Sequence, residues 1–368
     1  MDNKFVKQVE KLILIAVIFI LLFFPNAGKI ETSSFYQDRW LLIQNTEQPL
    51  VPVFLDETNQ PLQAATKMLE IPVDAQLHSA GPTCKRNFRI SVKIANEGRA
   101  YSSNIRLDVP LLGNLDSPYQ ALLKESFSHK PLAINEFSQG SRTASFSIPY
   151  LVPGKTETIV IDYPLHAIPL TANLSGLPET YRHSEQGYVD SMFLMPANKI
   201  ESNHPEIVAK AREIALGLTG DLEKARAFFS FVISYLQYDL NNPNRNQGAL
   251  SALRGRSGVC EDFASLFVAL CRAEGIPARV VNGYADPKGR GDMWNVAPGE
   301  TFSLKGYRHS WAEFYLPGIG WIPVDPTLNY FASLQQASHL AQNYQDQNLR
   351  IRYQGGQIIA TWEEEITG

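Results

Sequence analysis

Residues 257–284 read Ser-Gly-Val-Cys-Glu-Asp-Phe-Ala-Ser-Leu-Phe-Val-Ala-Leu-Cys-Arg-Ala-Glu-Gly-Ile-Pro-Ala-Arg-Val-Val-Asn-Gly-Tyr, and the fold is read outward from them. Phe263, Leu266, Phe267 and Leu270 recur at helical spacing, and Gly275 stops the run before an Arg-Val-Val strand. The small residues Ser257 and Gly258 deliver Cys260 to the first turn of that helix. The positive end of the helix dipole favours a thiolate there. A cysteine in an apolar run is equally at home as a small core residue, so Cys260 alone does not decide between nucleophile and filler.

The deciding residues come later. Tyr307 to Leu316 alternates as a strand, with Tyr307, His309, Trp311, Glu313 and Tyr315 on one face. Pro317-Gly-Ile-Gly320 turns the chain, and Trp321-Ile-Pro-Val-Asp325-Pro-Thr returns it. His309 is placed to act as base toward Cys260, with Asp325 holding the second imidazole nitrogen. Register tests this reading. A four-residue turn pairing Leu316 with Trp321 sets Asp325 opposite Ala312, on the wrong face for His309. The triad therefore predicts an odd-length turn or a bulge between Leu316 and Asp325.

Other residues near these read more plainly. Asp262 is expected to cap free N–H groups of the first turn, and Glu313 to pair with a cation on the sheet. Trp294, Trp311 and Trp321 are either pocket walls or core aromatics. Upstream, Pro205 opens a helix carrying Ile207, Val208, Ala211 and Ile214. A second helix is expected from Leu222 to about Leu236, capped by Thr219 or Asp221, and a short helical turn at 250–254.

Five segments together resemble the transglutaminase-like superfamily: Gly258-Val-Cys260-Glu-Asp262-Phe-Ala264, Gly275-Ile-Pro-Ala-Arg279, Gly283-Tyr284, His309-Ser-Trp311-Ala-Glu313 and Gly320-Trp321-Ile-Pro-Val-Asp325-Pro-Thr327. The resemblance covers about 205–330 and implies a papain-like fold with catalytic Cys260, His309 and Asp325. It also implies an oxyanion donor from the segment before the cysteine, for which Tyr238, Gln237 and Asn241 are candidates, Tyr238 ahead by analogy. The implied chemistry is acyl transfer at peptide, protein or cell-wall amide bonds. Released by water, the thioester makes a cysteine peptidase or amidase, the favoured reading. Released by an amine, it makes a protein-glutamine crosslinker. A non-catalytic binding or assembly protein retaining the fold is the third reading.

Composition bounds the rest. A chain of 368 residues suits two domains plus a tail, and a net charge of −4 without basic blocks gives no reason to expect a nucleic-acid partner. Cys84, Cys260 and Cys271 make neither a disulfide framework nor a metal tetrad. His78, His129, His166 and His183 are scattered, and Asp286, Asp292 and Glu300 are too dispersed for a calcium loop. No cofactor or metal is expected.

The fold class is α+β: an N-terminal β-sandwich, immunoglobulin-like or similar, over 29–170, then a connector at 171–204 and the catalytic domain at 205–330. The sandwich is expected to carry about seven strands, with a hairpin turning at Val152-Pro-Gly-Lys155. It offers a surface for a protein partner. Met192 to Met195 in the connector are expected to reach across to the second domain. Residues 331–368 are read as an extension whose two runs, around Gly355-Gly356, form a hairpin on the catalytic sheet. Lys4, Lys7 and Lys11 precede an apolar run from Leu12 to Phe24. As a helix that run rises about 20 Å against a hydrocarbon core of roughly 30 Å. Residues 1–28 thus read as a signal peptide or a short membrane anchor. Either places the body in the cell envelope outside the cytoplasm, inner-membrane anchored or periplasmic or secreted.

Overall fold

The computed structural model describes residues 77–79, 84–113, 119–122, 124–137, 141–167, 170–172, 174, 191–286, 296–317, 319–334, 339–343 and 348–368. The N-terminal segment 1–28, Trp294 and residues 175–190 of the connector lie outside the described residues. Among the described residues no helix is long and apolar enough to cross a membrane.

Period-two alternation builds the front part. Its main strands are β1 (Cys84–Asn96), β2 (Ser102–Leu111), β3 (Gln120–Leu122), β4 (Arg142–Leu151) and β5 (Thr156–Ala167). Among the described residues four α-helices follow: α1 (Pro205–Ile214), α2 (Asp221–Tyr235), α3 (Ala249–Gly255) and α4 (Cys260–Ala273). Pro205 opens α1 as expected, but α2 starts one residue earlier than its pattern suggested. Gly220 is its N-cap and makes no side-chain bond; Asp221 sits inside the first turn, where the dipole favours its charge. The main strands of the rest of the chain are β6 (Ala278–Ala285), β7 (Arg308–Leu316), β8 (Gly320–Asp325), β9 (His339–Asn343), β10 (Arg350–Gln354) and β11 (Ile358–Thr367).

α4 is the axis of the second half. Its residues from Glu261 to Arg272 are all buried, and Phe263, Leu266, Phe267 and Leu270 pack with Ala312, Phe314, Leu316, Ile322 and Val324. Full burial of each large apolar side chain is worth about 1.5–3 kcal/mol, so this face anchors the helix that carries Cys260. The sheet beneath it runs 330–331, β8, β7, β6, β9, antiparallel throughout. The connector does reach this half: Met195 O accepts from Arg272 Nη1 at 2.6 Å, and Phe193 meets Trp321 edge-on at 4.7 Å.

The sandwich corrects two expectations. One sheet orders 301–303, β11, β1, β5, β3, and the other β10, β2, β4, 133–136. β4 and β5 therefore lie in different sheets, so the turn at 152–155 is a corner and not a hairpin. The strands β10 and β11 also part at Gly355-Gly356: β10 pairs with β2, and β11 with β1. They complete the front sandwich instead of extending the catalytic sheet. Alternation with a glycine turn suits a hairpin and a sheet-to-sheet corner alike, because both leave one apolar face. At this corner Gly355 and Gly356 have φ of +68° and +59°, and a Cβ on Gly356 would lie 2.1 Å from Ser102 Oγ.

Candidate active site

The approach to Cys260 is held by backbone pairing. Gln237-Tyr238 pairs in parallel with Ser257-Gly258, and Asn242 Nδ2 donates to Ser257 O and Oγ, each at 3.0 Å. Val259 is the N-cap of α4. Its N–H donates to Asp262 Oδ2 at 2.9 Å, and Asn246 N–H reaches the same oxygen at 2.9 Å. Asp262 thus ties the helix entrance together, but through the N–H of the N-cap and of Asn246 and not through the first-turn N–H groups that its position in the sequence suggested. Cys260 follows at the first helical position, half-buried, while Cys271 is fully buried and its thiol is pushed well up by burial.

The return strand has the register the triad requires. Leu316 pairs with Gly320 across a three-residue connection, and Ala312 with Val324. The next step brings Asp325 to the side of His309, whose Nε2 donates to Asp325 Oδ2 at 2.7 Å. The Cys260 sulfur lies close enough to His309 to favour its protonation, and with Nε2 engaged by Asp325 the ring's Nδ1 is the nitrogen left to serve it. Asp325 itself is fully buried. Its Oδ1 accepts from Thr327 N–H at 2.9 Å and Leu328 N–H at 3.1 Å, a turn made by Pro326-Thr327.

A second imidazole meets the same carboxylate. His339, at the start of β9, donates from Nε2 to Asp325 Oδ2 at 2.9 Å and is buried. Charges follow from this arrangement. Burial opposes protonation of His309, but the Asp325 carboxylate and the Cys260 sulfur outweigh it and raise His309 to about 10. Burial likewise opposes ionisation of Asp325, and the two imidazoles overturn it, holding its carboxyl well below the usual range. Burial lowers His339, leaving it the neutral donor. One positive and one negative group thus share a closed hydrogen-bonded set.

His339 was not singled out in the sequence. It lies in a polar, Gln- and Asn-rich stretch whose only local cue is the short His-Leu-Ala alternation. The other predicted residues scatter more widely. Trp311 is fully buried, parallel to His309 at 6.3 Å and edge-on to His339 at 4.9 Å, so it backs the imidazoles and is not a wall of an open pocket. Trp321 packs under Arg279, with the guanidinium 4.0 Å from its ring. Glu313 pairs with Arg279 at 2.7 Å in the core. Gln237 and Asn241 are exposed, and Tyr238 is half-exposed with its ring 6.1 Å from Phe263. Among the described residues, His309, Asp325 and His339 are the group whose donor atoms, all within 4.8 Å, are close enough to hold a metal ion. Both imidazole nitrogens already bond the carboxylate, so shared protons account for the cluster.

Residues 208–326 match the model of the transglutaminase-like superfamily. This stretch is a transglutaminase-like domain. It is 35% identical over 112 residues to an uncharacterized protein of Haemophilus influenzae, covering 28% of this chain and 30% of that one. It is 40% identical over 72 residues to a protein-glutamine gamma-glutamyltransferase of Pseudomonas aeruginosa, covering 20% of this chain and 10% of that one. The chain thus spans less than a third of either relative. A solved structure of a proposed cysteine protease from Cytophaga hutchinsonii superposes with a TM-score of 0.53 at 19% identity, over 79% of this chain and 92% of that one. That likeness concerns the fold. The transglutaminase-like domain follows the front strands, as the sequence implied, and His339 lies beyond the stretch that the family model covers.

Proposed function

We propose that this chain is a thiol-dependent acyl-transfer enzyme acting on amide bonds of peptides or proteins, with Cys260, His309 and Asp325 as its catalytic triad. The observation that carries the reading is one imidazole hydrogen-bonded to the buried Asp325 and near enough to the Cys260 sulfur to be held protonated by both. The Cys260 thiolate, its proton already on His309, attacks the carbonyl carbon, and the C=O electron pair moves to oxygen. His309 gives its proton to the leaving nitrogen as the C–N bond breaks and a thioester remains. A water then attacks the thioester, His309 takes its proton, and the sulfur leaves as the acid is released. Asp325 keeps the imidazole aligned through both steps. The oxyanion needs donors: the N–H of Cys260 at the helix start is one, and Tyr238, which pairs with Gly258, is the second we assign.

Hydrolysis is the first reading. The second, in which a primary amine replaces water, is favoured by the gamma-glutamyltransferase among the relatives. The lysine-flanked apolar run at 12–24 supports a location in the cell envelope outside the cytoplasm. Iodoacetamide labelling of the full chain tests the triad: Cys260→Ala abolishes fast labelling and His309→Ala slows it at least tenfold. Labelling of Cys260 that ignores His309 leaves the binding-protein reading. A glutamine-containing protein incubated with a fluorescent amine then separates the outcomes: new amino termini or ammonia without amine uptake for hydrolysis, ammonia together with amine uptake for crosslinking.

A further inference from the structure

Two residues of the front sandwich touch the strands that carry the site. Gln120, in β3, closes its carboxamide on Ala341: its Nε2 donates to Ala341 O at 3.0 Å and its Oε1 accepts from Ala341 N–H at 2.7 Å. Among the described residues β9 is an edge strand of the catalytic sheet, with no further strand of that sheet on its outer side. The Gln120 side chain supplies a donor and an acceptor in the place of that strand. Both bonds are buried. On the inner side β9 is pressed against β6 at Gly283, where a Cβ would lie 2.0 Å from Leu340 O. The strand is therefore gripped on both edges within two residues of His339.

The neighbouring residue acts on the other imidazole. Tyr119 OH accepts from Trp311 Nε1 at 3.1 Å and donates to Glu313 Oε1 at 2.6 Å. Trp311 in turn stands beside both rings, near-parallel to His309 at 6.3 Å and edge-on to His339 at 4.9 Å. Tyr119, Trp311 and Ala341, with Val281 and Leu334, form a small core of their own between the two halves of the chain.

We propose that His339 is a positioning residue for Asp325, and that Gln120 of the front sandwich holds His339 in that role, so that the sandwich is part of the catalytic architecture. The inference rests on the triad reading above. A carboxylate bonded to one imidazole alone can rotate about its Cβ–Cγ bond. Here Thr327 and Leu328 fix Oδ1 while His339 fixes Oδ2, and the oxygen that faces His309 has one available position. In this role His339 acts through Asp325, to which its Nε2 donates, and takes no part in the proton exchange with the sulfur.

The test measures the second-order rate of Cys260 alkylation by iodoacetamide in the full chain, with the melting temperature of each variant alongside. His309→Ala sets the floor. His339→Phe, which fills the site without a donor, is expected to slow alkylation about tenfold toward that floor. His339→Gln, whose amide nitrogen reaches the same carboxylate, is expected to stay within about threefold of wild type. Gln120→Met, equal in shape and unable to bond Ala341, should slow it about threefold in the wild-type background and not at all in His339→Phe. A His339→Phe protein at the wild-type rate, a Gln variant as slow as Phe, or a full Gln120→Met effect in the absence of His339 each overturns the proposal. If His309→Ala alkylates as fast as wild type, the triad itself fails, and this inference with it.

Discussion

Asp262 occupies the space that a side chain at residue 258 would need: a Cβ on Gly258 would lie 2.5 Å from Asp262 Cβ and 2.7 Å from its Oδ2. The helix entrance is thus built from a glycine and the carboxylate folded over it. Gly258→Ala should push Asp262 off the Val259 N–H and slow Cys260 alkylation together with a fall in melting temperature. Asp262→Ala should cost about 1–2 kcal/mol, and Asp262→Asn, which keeps an acceptor, less. Equal stability of Asp262→Ala and wild type in urea titrations would refute the capping role.

His309 gives a pH signature. Its folded value is raised from 6.5 to about 10, so its contribution to stability is complete below pH 6.5 and is lost as pH rises toward 10. Asp325 is shifted down, so its share is present above its ordinary range and lost in acid. The melting-temperature gap between wild type and His309→Gln should therefore be widest near pH 6 and close steadily by pH 10. A gap that stays constant across that range would contradict the raised value.

Arg279 and Glu313 form a buried ion pair, 2% and 0% exposed, with Tyr119 on the second carboxylate oxygen. Glu313→Gln leaves the guanidinium buried without its counter-charge and should destabilise by about 3–5 kcal/mol. Arg279→Met combined with Glu313→Leu should recover most of that loss, because both desolvated charges are removed. Urea unfolding of the three proteins decides it; a double variant no better than Glu313→Gln would be the contrary result.

Asn96 holds the end of the sandwich where three chain crossings meet. Its Nδ2 donates to Ala100 O and Leu151 O at 2.8 Å each, and its Oδ1 accepts from Gly98 N–H at 3.0 Å and Gln357 N–H at 3.2 Å. Asn96→Ala strands the buried Leu151 carbonyl and loosens three part-buried bonds, and should cost about 1–3 kcal/mol, with Asn96→Asp no better because both carbonyls then face an acceptor. Limited proteolysis should locate the first new cleavage near residues 97–100 or 355–357. Unchanged resistance would count against the corner as a keystone.

The sequence by itself determined the parts that depend on near neighbours. Helical spacing placed α4 and the cysteine at its start, because 3.6-residue periodicity is local. Alternation placed His309 and Asp325 on strands, and the demand that they share a face called for an odd-length turn or a bulge, of which the three-residue connection from Leu316 to Gly320 is one. Only the tertiary structure decided which strands keep company. The glycine turns at 152–155 and 355–356 look alike whether the chain folds back on one sheet or steps to another, and burial of both inner faces selected the step. Nor does any local pattern mark His339, Gln120 or Asn96. Each is a polar residue in an ordinary stretch, and each acquires its place from partners 14, 221 and up to 261 positions away. A side chain's burial, and hence the worth of its hydrogen bonds, is set by the packing of distant segments, and that information exists only once the halves have met.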